Sequence, residues 1–134
     1  MSVKRLVNGN KLTVFTWLDA DRSQFEEFFA DPHTGRDLSV RTIALITRAA
    51  NEGPPENDEQ CRLADPVRDG DLYIFLIYGG LGVLWFYSED GIIICLATRM
   101  MKTGKIRESD LETALNIKRL YFEERSHDDP LKFR

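Results

Sequence analysis

The stretch "RMMKTGKIR" places Arg99, Lys102, Lys105 and Arg107 within nine residues that hold no acid. The whole chain carries a formal net charge of -4 and a sequence pI near 5.2. A local island of cations in an acidic protein suits one kind of chemistry best. It can hold a phosphate, stabilise charge that develops on one, or supply a lysine base where burial lowers its pKa. The cluster sits just before a predicted helix start, and a helix N-terminus favours anions. The same residues also read as an exposed loop of solvated lysines.

Other signatures point nowhere. The 134 residues contain no G-x-S-x-G, P-loop, H-E-x-x-H or C-x-x-C motif. His33 and His127 have no spaced partner, and the glycines at 79, 80 and 82 open a strand rather than a helix. The two cysteines, Cys61 and Cys95, lack metal-ligand spacing and read as reduced thiols, with Cys95 in the core. No metal or cofactor is expected. The acidic balance argues against coating nucleic acid through bulk charge. The longest apolar runs are shorter than the roughly 20 residues a membrane helix needs, and "MSVKRLVNGNK" is basic with no apolar run behind it. These features predict a cytoplasmic protein with no membrane partner.

The elements that must position the cations follow from patterning. "KLTVFTWL" reads as a strand. Ser23 and Glu26 have capping-box spacing ahead of a short helix whose Phe25, Phe28 and Phe29 share a face, ended by Asp31-Pro32. "RDLSVRTIALITRAANEG" predicts a second helix with Leu38, Ile43, Ile46 and Ala50 as its stripe and Gly53 as its stop. After the acidic loop "PPENDEQ", "CRLAD" allows one further short strand outside the main order. "DLYIFLIY", "GVLWFY" and "GIIICLAT" then predict three strands joined by tight turns at Gly79-Gly80 and Asp90-Gly91, hence antiparallel neighbours. Ser109 and Glu112 have capping-box spacing before a last helix running to about Arg125, with Leu111, Ala114, Leu115, Tyr121 and Phe122 on its buried side. Residues 126–134 read as a mobile tail. The expectation is one α+β domain over 1–134, in the order β-α-α-β-β-β-α, with a small antiparallel sheet flanked by two N-terminal helices and a C-terminal one.

With these elements in order, four motifs resemble the RelE/ParE superfamily of toxins from toxin–antitoxin pairs, in its HigB-type, phage-derived branch. They are "SQFEEF", "RLADPVRDGDLYIFLI", "VLWFYSEDG" and "RMMKTGKIRESDLETA". They are similar to the family's S-x-x-E-E-F, K-L-x-D-G-L-Y-E-L-R (here with a short insertion), R-I-F-Y-F-x-x-x-G and F-x-K-K-T-x-K-T-P-x-x-E-I-E-x-A, in sequence order. The resemblance spans roughly residues 12 to 122. It implies a ribosome-dependent endoribonuclease that cuts mRNA by in-line attack of a ribose 2′-hydroxyl. Lys102 and Lys105 would then be catalytic, Arg62 would contact RNA or phosphate, and an antitoxin would be the protein partner; Arg99 and Arg107 of the basic island are the further RNA or phosphate contacts expected. No metal is implied, and the oligomeric state is left open.

The departures from the family pattern have chemical weight. Leu76 and Val83 stand where the family carries arginines, Met101 where it carries a lysine, and Arg107 where it carries a proline. Tyr87 suits either a polar sheet-face role or aromatic packing. A second reading is therefore a toxin-like protein that cuts nothing and binds a partner through an apolar sheet face, either an antitoxin or a target such as the gyrase that ParE-like relatives poison. A third is an unrelated small α+β interaction module.

Overall fold

A computed structural model describes residues 2–128, with side chains through Arg125. The chain runs β1 (Ser2–Asn8), β2 (Thr13–Leu18), α1 (Gln24–Ala30), α2 (Arg36–Glu52), β3 (Cys61–Asp65), β4 (Asp69–Ile77), β5 (Leu81–Ser88), β6 (Gly91–Arg99) and α3 (Glu108–Asp128). The strands form one six-stranded sheet in the order β1-β2-β6-β5-β4-β3. The α+β class stands as expected, but the sheet is mixed rather than antiparallel. Strand β2 pairs parallel to β6, from Thr13 opposite Gly91 to Thr16 opposite Ile94, and every other pair is antiparallel.

Strand β1 is a further departure. Its basic residues face solvent, while Leu6 and Val7 pack on the core. The turn after it docks on the end of α2, where the amides of Lys11 and Leu12 both donate to the Ala50 carbonyl at 3.0 and 2.9 Å. Gly9 permits this approach, since a Cβ there would lie 2.2 Å from that oxygen.

The helices close the sheet on both sides. On one face Phe25 of α1 and Leu45, Ile46, Ala49 and Ala50 of α2 cover Val14, Phe75, Val83 and Trp85. On the other, Leu111, Ala114, Ile117 and Tyr121 of α3 cover Trp17, Leu72, Ile74, Phe86 and Ile93. This double cover explains the nearly continuous apolar runs of β5 and β6, which are buried on both faces. Two stripes differ in detail from their periodicity. Ile43 is 61% exposed because the face α2 buries is one step round, through Thr42, Leu45 and Ala49. In α3, Ile117 replaces Phe122 in the core, and Phe122 is 44% exposed.

The caps split in the same way. Ser23 accepts from the Glu26 amide at 3.1 Å and starts α1 as its spacing indicates. Helix α3 instead begins at Glu108, and the Arg107 carbonyl accepts from Asp110 and Leu111, so Ser109 lies inside the helix and caps nothing. Its last turn continues through residues 126–128, which were expected in the tail, and the rest of that tail (129–134) lies outside the described residues.

A side chain also completes the sheet. Beyond Ile94, β6 has no β2 partner, and Gln24 takes the place of one. Its amide donates to the Ala97 carbonyl at 2.9 Å and accepts from the Ala97 N–H at 2.8 Å.

Helix α3 is tied to β4 by an ion pair largely withdrawn from water. Lys118 Nζ donates to both carboxylate oxygens of Asp69 at 2.7 Å, with the two side chains 15% and 18% exposed. Burial works to raise the Asp69 pKa, but the Lys118 hydrogen bonds, the Asp71 amide and the Lys118 charge together hold it below its ordinary value. A lowered folded-state pKa stabilises above the unfolded value and is lost as pH falls through the folded one. Lys118→Ala is expected to cost about 2 kcal/mol near neutral pH, because it strands the carboxylate. In urea titrations the gap to the parent protein should narrow below about pH 4, where the carboxyl protonates. A gap that stays constant with pH would assign the loss to packing instead.

Candidate functional site

The basic loop leaves β6 where the Met100 amide donates to the Gly80 carbonyl at 2.7 Å. It folds into a tight turn, with Gly104 N–H donating to Met101 O at 2.8 Å and Met101 N–H to Lys105 O at 2.9 Å. Gly104 has φ +78°, which suits glycine. Arg62 reaches across from β3 and donates to the Gly104 carbonyl at 3.3 Å. The structure therefore brings Arg62 to the loop that carries Lys102 and Lys105. Both lysines are exposed, and among the described residues neither side chain has a hydrogen bond or ion pair. Arg107 is exposed at the start of α3.

Arg99 does not join this group. Its guanidinium donates to the His33 carbonyl at 2.9 Å and lies 5.7 Å from the Phe28 ring centroid, on the face covered by α1 and α2. The end of α3 is not a free anion site either. Glu108 and Asp110 occupy its first turn, Glu108 pairs with Arg68, and the Asp110 carboxylate accepts from the Thr98 hydroxyl. The two positions that hold arginine in the resembled family diverge as well. Val83 is fully buried under α1 and α2, while Leu76, half-buried, packs on the opposite face. Val83 and Leu76 thus form no shared exposed surface.

A different site lies where α2 ends over the sheet. Gly53 caps α2 with φ +94°, and Pro54 and Pro55 turn the chain away, opening a cleft of about 510 Å³. Its floor is aromatic. Trp85 is stacked between Tyr73 and Phe75, with centroids 4.7 Å away on each side and interplanar angles of 19° and 25°. Tyr87 stands edge-on to Trp85 at 4.9 Å and to Tyr73 at 5.6 Å, and is 44% exposed. The aromatic packing considered for Tyr87 is therefore present, with part of its surface left exposed. Glu52, Glu56, Asp58, Lys11 and Arg62 complete its lining, and the Arg62 guanidinium is turned to Gly104.

Two polar groups mark this cleft. The indole N–H of Trp85 is buried, and no protein atom among the described residues accepts from it. The Cys61 thiol is pushed up to about 11 by burial and then by Asp58, so it stays protonated at neutral pH and is no nucleophile. Burial, with Tyr73 and Cys61 nearby, also raises the Tyr87 pKa. Cys61 and Cys95 are both free thiols, and burial raises Cys95 too.

The period-2 spacing of Tyr73 and Phe75, and of Trp85 and Tyr87, was the available signal for this floor. It becomes a site only when the two strands pair with Tyr73 opposite Trp85 and the 53–58 loop walls them in.

Among the described residues no group of three or more His, Cys, Asp or Glu is placed to hold a metal ion, and no helix is long and apolar enough to cross a membrane. The molecule is thus an α+β protein with a mixed six-stranded sheet, a basic loop after β6 and an aromatic cleft beside the 53–58 loop. No protein-family model, curated protein or solved structure matches the chain.

Proposed function

We infer that this chain is a toxin-like protein of the RelE/ParE kind that works by holding a protein partner, an antitoxin or a target, rather than by cutting RNA. The dispersal of the cations carries this reading. Arg99 serves the α1 side, Leu76 and Val83 supply no charge, and Lys102 and Lys105 have no acid or imidazole hydrogen-bonded to them among the described residues. In-line attack on a phosphodiester needs a base, an acid and cations converging on one phosphate.

One observation favours the cleaving reading. Lys102 and Lys105 are unpaired and exposed on a loop that Arg62 pins, as a phosphate-binding loop would be. The deciding experiment induces the chain in a bacterial host and maps mRNA ends, beside Lys102→Ala and Lys105→Ala. Intact mRNA is the expected result, and growth arrest with intact mRNA would point to a protein target. Codon-linked cuts that vanish in both variants would replace the binding reading with the nuclease.

A further inference from the structure

The cleft beside the 53–58 loop has the size of a small-molecule site. Its volume of about 510 Å³ falls within the roughly 300–1,000 Å³ of such pockets. One part of its lining is apolar and aromatic, from Pro54, Pro55, Tyr73, Trp85 and Tyr87. Tyr87 is the most open of these rings, and its contacts with Trp85 and Tyr73 hold it in place.

The other part of the lining is charged, and its balance is negative once internal contacts are set aside. Arg48 holds Glu52 at 2.9 Å, and the Arg62 guanidinium is turned to Gly104. Glu56 and Asp58 are left against Lys11, and all three are exposed with no ion pair among the described residues. Burial and then the Asp58 carboxylate raise the Cys61 thiol pKa, so the field of that acid reaches the inner lining of the cleft.

A ligand that matches both parts carries a positive charge surrounded by alkyl groups. An aromatic ring attracts such a charge, carboxylates add to the attraction, and the alkyl groups pack on the prolines and rings. A phosphate or other anion would meet two unpaired carboxylates. A metal ion is a poor match, since among the described residues no group of three or more His, Cys, Asp or Glu is placed to hold one. We propose that this cleft binds an organic cation of the alkylammonium class, seated against the Tyr87 ring with Glu56 and Asp58 supplying the counter-charge. The site goes beyond the partner-binding reading and does not rest on it.

The test is an NMR titration of the full-length 15N-labelled chain at low salt with choline and with its neutral isostere, in which a quaternary carbon replaces the nitrogen. Choline is expected to shift the amides of Glu56, Asp58, Cys61 and Tyr87, and less so as salt screens the carboxylates. The isostere should bind at least fivefold more weakly. Tyr87→Leu should weaken choline about fivefold, whereas Tyr87→Phe, which keeps the ring, should bind within about twofold of the parent. Asp58→Asn, at an exposed position, should weaken choline about threefold and keeps the test open if Tyr87→Leu does not fold. A trimethyl-lysine side chain carries the same group, so a capped tripeptide with that residue at its centre is the second probe. Tighter binding than choline would assign the cation to a protein side chain, and equal or weaker binding to a free molecule; either keeps the site. Silence toward both cations, an equal response to the neutral isostere, or shifts confined to residues outside the cleft would overturn the proposal. Choline binding unchanged by both Tyr87→Leu and Asp58→Asn would do the same.

Discussion

Val83→Arg is expected to abolish folding. The substitution restores the residue that the resembled family carries at this position, yet here it places a guanidinium where the side chain has no exposed surface at all. Val83 packs among Phe75, Trp85, Ala97 and the helices α1 and α2, and no acid is buried among the described residues to pair with an arginine there. An isolated buried charge costs more than about 5 kcal/mol, which rivals the whole stability of a domain this size. Leu76→Arg provides the contrast. Leu76 is half-buried on the α3 face, so an arginine stem can lie along the sheet with its head in water, at a cost below about 2 kcal/mol. Circular dichroism and urea unfolding of the two variants make the comparison. Equal stability in the pair would show that Val83 is not enclosed as described.

Gly91→Ala should be almost as damaging, for a backbone reason. Gly91 begins β6 directly opposite Thr13 of β2, and a Cβ there would sit 2.1 Å from the Thr13 carbonyl oxygen and 3.0 Å from its carbon. Those atoms belong to the main chain and cannot rotate aside. The residue also has φ +141°, a region that side chains avoid. Relief requires opening the β2–β6 pair, the one pairing that joins the β1–β2 hairpin to the rest of the sheet. The expected loss is about 4 kcal/mol, and the amides of β1 and β2 should lose hydrogen-exchange protection before the others. Gly70→Ala is the control. Nothing lies within 4 Å of its added methyl and its φ is not positive, so a change within about 0.5 kcal/mol is expected. A Gly91→Ala protein as stable as that control would refute the close approach.

Much of the fold was legible because it is written locally. The alternation and turn residues of β3 to β6 place those strands within a residue or two of where they form, and Ser23 and Gly53 bound α1 and α2 as their chemistry indicates. Strand β1 carried a signal too, in the Asn8-Gly9 turn between apolar runs, but its cations masked the pattern.

Neither candidate site was legible in the same way. The four cations are adjacent in sequence, yet a strand alternates its side chains between faces. Arg99 therefore leaves with the α1 side while the loop carries Lys102 and Lys105 elsewhere. The aromatic cleft joins residues from the 53–58 loop, β3, β4 and β5, which only register brings together.

By itself the sequence determined the α+β class, the positions of β3 to β6, and the caps and turns at Ser23, Gly53 and Asp90-Gly91, because each depends on neighbours a few residues apart. Only the tertiary structure decided the parallel β2–β6 pairing, the dispersal of the basic residues, and the aromatic cleft walled by the 53–58 loop. Those features depend on which distant segments share a face, and hydrophobic periodicity is silent about that.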